Sequence, residues 1–481
     1  MTDARPVRRL PGMNDLSEGE MEAIEAAQRS CMHMFALRGY TRVDTPLLEQ
    51  TELFLRKSGG ELSSRLFSFS EPGGYPVSLR PEFTAPVIRY AIESGAAATL
   101  PLRLQYAGPV FRYAMPGDPD NAQSPQFMQL GAELIGTSSP QADGEIIAMA
   151  LGGLRKLGVP EPKIVIGHIG LIWALLRPYG LSDRARLFLV NSVGELRCGQ
   201  LGAERVQERA RELGLLPSVA PAGPVTVPDT EDDEALALVQ SVLGETLGGP
   251  LDRYAGSRTS AEIVARLARK LTTADDPEAF KKALGLLTDI AVVNGPTDEA
   301  LDEGVRITHE HGQDTGVFQA LREVVVCAKD EGVAAEAISV NFGLARGIAY
   351  YTGMVFDVVS GRGDGGSLGG GGRYDGLPRA LGADVDIGAL GFAYNMHAVL
   401  AAIPREDSPG KHRAVLVQPA DSSAHNAAVK VAAAQRSNGI QAIVELDARS
   451  QQELLQFARQ VGVTKVITVS ANGETKSEDI Q

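Results

Sequence analysis

Between Gly361 and Gly372 the chain reads Gly-Arg-Gly-Asp-Gly-Gly-Ser-Leu-Gly-Gly-Gly-Gly. Glycine loses more conformational freedom on folding than any other residue. A run of this kind belongs where the backbone turns sharply or where another group must come close to it. Strand-like sequence precedes it at 355–359, and Arg373-Tyr374-Asp375 follows it. The run therefore reads either as a flexible hairpin tip or as a loop through which a ligand approaches the backbone. It contains no GxxxxGK[ST], which excludes a Walker-type phosphate loop. No apolar helix start follows it either, so it does not fit the strand–GxGxxG–helix of dinucleotide-binding folds.

The rest of the chain divides by periodicity. Residues 18–37 have the pattern of an amphipathic helix ending near Gly39, and 40–46 form a short extended piece closed by proline. Residues 65–69 and 75–79 read as strands joined by the turn Glu71-Pro72-Gly73-Gly74. A helix is expected at 84–93, strands at 103–105 and 110–113, a loop at 115–125, strand alternation at the start of 126–135, and a long helix at 141–157. Residues 163–169 are strand-like, and 172–176 and 182–189 are short helices. The proline-rich stretch 216–224 and the acidic stretch 229–233 read as an exposed linker or loop. Helical patterns follow at 234–243, 260–271, 277–287, 297–310 and 318–331, and strands return at 337–342 and 355–359. From Lys411 onward, strands (414–417, 442–446, 465–469) alternate with helices (424–435, 451–460). The expected organisation is a strand-and-helix core at 1–169 and 337–405, a mostly helical insertion at 170–336, and a small α/β domain at 411–481.

The 481-residue chain has a net charge of −14, which opposes non-specific binding to nucleic acid or anionic membrane. Aromatic residues make up 5 %, too few for extended base stacking. From Lys411 onward eight Lys/Arg face seven Asp/Glu, so that region carries no basic footprint for RNA. Cys31, Cys198 and Cys327 are far apart and form no CxxC pair, so they read as buried thiols and not as a disulfide framework. The histidines show no zinc spacing, and no serine or cysteine sits in a nucleophile elbow. No apolar run approaches the roughly 18 residues of a membrane span, and a cytoplasmic protein is expected.

Four constellations carry possible chemistry. In Arg80-Pro81-Glu82 a carboxylate beside a strand end could bind an ammonium group. If residues 126–133 are extended, Gln129, Gly131 and Glu133 share one face, two polar groups beside a glycine opening suited to a small amino acid. Arg346, followed by Tyr350 and Tyr351, could clamp a carboxylate or phosphate and line a ring pocket. Arg373-Tyr374-Asp375 repeats part of that set. Each also has an ordinary structural reading, as a surface ion pair, a half-exposed strand, or an arginine beside half-buried tyrosines.

In this order the motifs resemble those of class II histidyl-tRNA synthetases. They resemble at least as well the paralogous regulatory subunit of ATP phosphoribosyltransferase, a protein of histidine biosynthesis. The resemblance spans roughly residues 8–405. Thr45-Pro46-Leu47-Leu48-Glu49 looks like the first class II motif, Phe111-Arg112 like the core of the second, and Gly391-Phe392-Ala393 like the start of the third. Gln126-Phe127-Met128-Gln129-Leu130-Gly131, Arg346-Gly347-Ile348-Ala349-Tyr350-Tyr351-Thr352 and Gly371-Gly372-Arg373-Tyr374-Asp375-Gly376-Leu377 resemble the histidine-specific segments.

What the resemblance implies is an α+β fold: a class II aminoacyl-tRNA synthetase-like antiparallel sheet core in a homodimer, a helical insertion, and a small C-terminal α/β domain like a reduced anticodon-binding domain. Glu82, Thr84, Gln129, Glu133, Tyr350 and Tyr351 would line a site for L-histidine. Arg112 and Arg346 would contact the carboxylate or α-phosphate side of an adenylate.

The departures from the pattern lie on the nucleotide side. Ala114 and Met115 replace a glutamate and an arginine of the second motif, and Ala398 replaces the arginine of the third that holds the γ-phosphate. Ala349 and Met128 replace an aspartate and a histidine. Losing one organised donor costs roughly 10²–10³ in rate. The implied protein is a non-catalytic regulatory subunit, with no catalytic residue, metal or cofactor. It senses histidine and reports to the short-form catalytic subunit of ATP phosphoribosyltransferase; no tRNA or membrane partner is expected. The alternative is a histidyl-tRNA synthetase or a related enzyme that activates histidine.

Overall fold

The computed structural model describes residues 7–56, 64–95, 100–113, 124–199, 202–217, 274–344, 350–361, 366–404, 414–447 and 449–480. The chain forms two compact units, Met1–Pro404 and Arg405–Gln481.

Among the described residues of the first unit, twelve strands make two sheets. They are β1 (Thr41–Arg42), β2 (Leu48–Gln50), β3 (Ser68–Ser70), β4 (Pro76–Leu79), β5 (Leu102–Phe111), β6 (Gln126–Ile135), β7 (Lys163–His168), β8 (Asn294–Pro296), β9 (Ile338–Asn341), β10 (Met354–Val359), β11 (Gly369–Arg373) and β12 (Ala389–Asn395). The large sheet has the order β1-β5-β6-β12-β11-β10-β7-β9-β8, and β2-β4-β3 form a small separate sheet. From β5 to β7 every neighbouring pair is antiparallel. The 103–105 and 110–113 pieces are one continuous strand, β5, paired along its length with β6 from Leu102↔Ile135 to Phe111↔Gln126. Within the expected helical insertion, β8 adds a strand to the sheet edge. The insertion's other described elements are helical, including Ile169–Leu176, Asp183–Arg197, Pro277–Ala291, Thr297–Glu310 and Gln319–Asp330. The second half of the glycine run is β11 itself, an interior strand between β10 and β12, and not a hairpin tip.

Strand alternation decides which face each side chain meets. Leu130, Ala132 and Leu134 of β6 point into the main core. There they join Phe35 of helix Glu18–Ala36, and Ile146, Ile147, Leu151 and Leu154 of helix Pro140–Lys156. Gln129, Gly131 and Glu133 face the opposite side, against β5 residues Gly108, Tyr106 and Leu104 and β12 residues Asn395, Ala393 and Gly391. Helix Thr84–Glu93 packs a second cluster on that side through Val87, Ile88 and Ala91, with Phe83, Tyr106, Tyr350 and Tyr374.

The second unit has four strands, β13 (Val415–Pro419), β14 (Ala442–Val444), β15 (Lys465–Val469) and β16 (Thr475–Asp479), in the order β14-β13-β15-β16. The first three are parallel, and β16 returns antiparallel to β15. Helix His425–Ser437 covers one face through Ala428 and Ala432, and helix Gln451–Gln460 covers the other through Leu454 and Ala458. Among the described residues no helix is long and apolar enough to cross a membrane.

Candidate functional site

The site is built around Glu133, which is fully buried near the end of β6. Its Oε1 accepts hydrogen bonds from the Thr84 hydroxyl (2.8 Å) and the Tyr106 hydroxyl (2.9 Å), and its Oε2 accepts from the Tyr374 hydroxyl. A carboxylate has about four lone-pair positions. Three are taken, which leaves one position on Oε2, an acceptor when the group is ionised and the place of the O–H when it is protonated. Burial pushes the Glu133 carboxyl up to about 8, against the pull of the three hydroxyl donors; the nearby Glu82 carboxyl adds to the rise.

Glu82 and Thr84 sit where the chain enters helix Thr84–Glu93. The Phe83 side chain makes no cap. The Glu82 carboxylate caps the helix instead, with Oε2 accepting from the Thr84 backbone N–H and Oε1 from that of Ala85 at 3.0 Å. An anion at a helix N-terminus also meets the favourable end of the macrodipole. Burial nevertheless raises the Glu82 carboxyl above its usual range. The residue expected to bind a ligand ammonium is thus also the cap of its own helix. Arg112 lies nearby. Its Nε donates to the Pro81 carbonyl at 2.9 Å, and its guanidinium stands 5.2 Å from the Phe127 ring centre.

Tyr350, Tyr351 and Tyr374 form a ring cluster beside this group. Tyr350 is buried, with its ring 5.0 Å from Tyr351 and 5.5 Å from Tyr374 in an edge-on arrangement. Tyr351 is half-buried and reaches 6.4 Å from Tyr374.

Gln129 is 6 % exposed, and its Oε1 is buried without a hydrogen-bond partner among the described residues. Buried polar atoms of native proteins are nearly always paired, and this one is an exception among the described residues. Its cross-strand neighbour Asn395 is turned toward the backbone. Asn395 Oδ1 accepts from the N–H groups of His397 (3.1 Å) and Ala398 (3.3 Å), capping helix Met396–Ala402. His397 Nδ1 accepts from the Met128 backbone N–H at 3.4 Å. Ala398 itself presents a half-buried methyl group packed toward the main core.

The structure brings Glu82, Thr84, Arg112, Gln129, Glu133, Tyr350 and Tyr351 to one side of the large sheet. Arg346, Ala114 and Met115 lie outside the described residues, as do Ala349, the loop at 115–123, the acidic stretch 229–233 and the helical patterns at 234–243 and 260–271. Two readings change. The glycine opening at Gly131 is filled by the protein's own Tyr106: a Cβ there would stand 2.6 Å from the Tyr106 hydroxyl oxygen. Arg373 is a structural anchor, pairing with Asp143 at 2.8 Å and with Asp375 at 3.1 Å, and donating to the carbonyls of Thr137 and Ser139. Two residues were missed, the hydroxyl donors Tyr106 and Tyr374. Tyr374 stands in a motif already singled out, whereas Tyr106 becomes visible only through the register that sets it opposite Gly131.

A buried carboxylate with hydroxyl donors, an orphaned amide oxygen and adjoining rings can bind a small ligand that offers N–H donors and a flat ring. The sequence profile of histidyl-tRNA synthetases matches residues 12–214 and 255–399, more than half of the chain. The chain belongs to the histidyl-tRNA synthetase family. Within it, a histidine–tRNA ligase of Methanococcus maripaludis is 26 % identical over 463 residues, which are 96 % of this chain and 91 % of that one. The ATP phosphoribosyltransferase regulatory subunit of Desulforamulus reducens is 27 % identical over 482 residues, covering 100 % of both chains. Among solved structures, an ATP phosphoribosyltransferase regulatory subunit/histidyl-tRNA synthetase from Bacillus halodurans matches at a TM-score of 0.66 and 21 % identity, over 98 % of this chain and 100 % of that one. Histidyl-tRNA synthetase from Nostoc sp. PCC 7120 matches at 0.63 and 16 % identity, over 99 % and 97 %. At these identities the likeness is one of fold, the class II synthetase fold with its antiparallel-rich sheet.

Proposed function

We propose that the chain is a regulatory subunit of ATP phosphoribosyltransferase that binds L-histidine and has no synthetase catalysis of its own. The observation that carries the reading is an asymmetry. On one side stand Thr84, Gln129, Glu133 and Tyr374, with an unpartnered amide oxygen and a remaining position on Glu133 Oε2. On the other, the start of helix Met396–Ala402 is capped by Asn395 and carries the methyl group of Ala398 where a synthetase needs an arginine. A relative carrying the regulatory-subunit name aligns over the full length of both chains. In this reading Glu82, Thr84, Gln129, Glu133, Tyr350 and Tyr351 bind histidine, and Arg112 and Arg346 face its carboxylate.

The proposed partner is the short-form catalytic subunit, and the proposed assembly is built on a homodimer. Exposed apolar side chains at Leu47, Leu48, Leu55 and Phe69, in and beside the small sheet β2-β4-β3, support such a pairing. The test mixes the purified chain with a short-form catalytic subunit and measures complex mass with and without L-histidine. A complex whose phosphoribosyltransferase activity responds to L-histidine is expected; no association at any histidine concentration sinks the reading.

A second reading, a histidine-activating ligase, is supported by relatives named as histidine–tRNA ligases, one of which aligns over 96 % of the chain. Histidine-dependent exchange of pyrophosphate into ATP separates the two, since only the ligase performs it.

A further inference from the structure

We infer that Tyr106 is a positioning residue for Glu133, fixed by a stack of side chains that runs back to Asp44 and Thr45; this rests on the histidine-binding reading above. Tyr106 is fully buried on β5, and its hydroxyl donates to Glu133 Oε1 at 2.9 Å. Its ring lies flat on Phe83, with centres 4.4 Å apart and planes 9° from parallel. The Arg80 guanidinium stands 3.8 Å from the centre of the same Phe83 ring. Arg80 is 1 % exposed and leaves no slack: Nε donates to the Pro109 carbonyl at 3.0 Å, and Nη1 to the Thr45 carbonyl at 2.5 Å and to Asp44 Oδ1 at 3.2 Å.

This arrangement differs from the other two hydroxyls on Glu133. Thr84 stands at the helix entrance beside the expected ligand, and Tyr374 follows the glycine-rich strand β11. Of the three, only Tyr106 is clamped by an aromatic ring and a cation that have no part in the site. Gly131 leaves room for this ring, since a Cβ there would stand 2.7 Å from Tyr106 Cζ, although it would also collide with the Phe392 carbonyl oxygen of β12. A hydrogen bond from a fixed donor selects one carboxyl orientation, so the remaining position on Oε2 points one way. Preorganisation of this kind lowers the ordering cost of binding. The titratable groups around Glu133 are the Glu82 carboxyl and the phenols of Tyr106, Tyr374 and Tyr350. No cation is hydrogen-bonded to it among the described residues. Losing the Tyr106 donor therefore moves the Glu133 titration upward.

The test follows the infrared absorption of the protonated carboxyl against pH in the full chain, with Glu133→Gln identifying the band. It is paired with calorimetric titration of L-histidine. Tyr106→Phe is expected to shift the band's midpoint up by about one pH unit and to weaken L-histidine binding about tenfold. A midpoint and an affinity both equal to the wild type overturn the inference. Should Tyr106→Phe lose its cooperative unfolding, Phe83→Leu keeps the hydroxyl and removes the ring it rests on. The same upward shift is expected there, and an unmoved midpoint overturns the inference. If the wild type binds no L-histidine, the histidine-binding reading fails, while the infrared arm still decides whether Tyr106 sets Glu133.

Discussion

Glu133 and Gly391 face each other across the β6–β12 pairing so closely that a Cβ on Gly391 would overlap Glu133 Oε2. Gly391 thus leaves the space that the Glu133 carboxyl occupies. Gly391→Ala is expected to cost roughly 2–3 kcal/mol, the range of a forced core clash, and to displace Glu133 from Tyr374. Denaturant unfolding would measure the first effect. In the histidine-binding reading, L-histidine raises the melting temperature of the wild type, and the second effect should appear as loss of that rise. A variant as stable and as histidine-responsive as the wild type would show that the backbone yields instead.

The pH dependence of stability should report Glu133. Burial raises its carboxyl from 4.5 to about 8 in the folded chain. The folded state therefore holds a proton that the unfolded chain has released, and stability falls as pH rises between those two values. The contribution is complete below about pH 4.5 and lost by about pH 8, with a slope of at most about 1.4 kcal/mol per pH unit. In Glu133→Gln that part of the slope should vanish. Urea unfolding at pH 5, 6.5 and 8 for both proteins checks it, and parallel profiles would refute the assignment.

Most elements were legible because their patterns are local. Helix Thr84–Glu93, helix Thr297–Glu310 and strand β15 have the boundaries that periodicity predicts. β5 reads as two pieces because Gly108 and Pro109 interrupt its strand signal, yet pairing with β6 carries it through. β11 is four glycines and an arginine, a composition with no strand propensity, and becomes a strand because β10 and β12 bond it from both sides. β16 has all five residues exposed and hence no apolar alternation to read. In the site, Glu133 and Gln129 follow from alternation along one strand. Tyr106, and the filling of Gly131 by its ring, depend on a register between distant segments that periodicity does not encode.

Arg373 and Asp143 should behave as a buried ion pair. They meet at 2.8 Å and are almost fully enclosed. Removing Arg373 leaves the Asp143 charge buried without its cation, a loss of roughly 3–5 kcal/mol, whereas removing Asp143 leaves Arg373 paired with Asp375 and costs less. Arg373→Met is expected to show the larger loss by denaturant unfolding, and Asp143→Asn the smaller one. The double variant should lose much less than the sum of the two, because neither charge is then stranded. Additive losses would mean that Arg373 acts chiefly through the carbonyls of Thr137 and Ser139.

Gln129 offers the sharpest separation of stability from binding. Its Oε1 is buried without a hydrogen-bond partner among the described residues, which costs roughly 1–3 kcal/mol. Methionine has nearly the same shape and no such oxygen. Gln129→Met is therefore expected to leave the ligand-free protein as stable as the wild type or up to about 1 kcal/mol more so. In the histidine-binding reading the same change removes a polar group that lines the site, so calorimetry with L-histidine should show affinity lowered by about tenfold. The two measurements must move apart: a destabilised variant that still binds L-histidine normally would mean that the amide serves the fold and not the ligand.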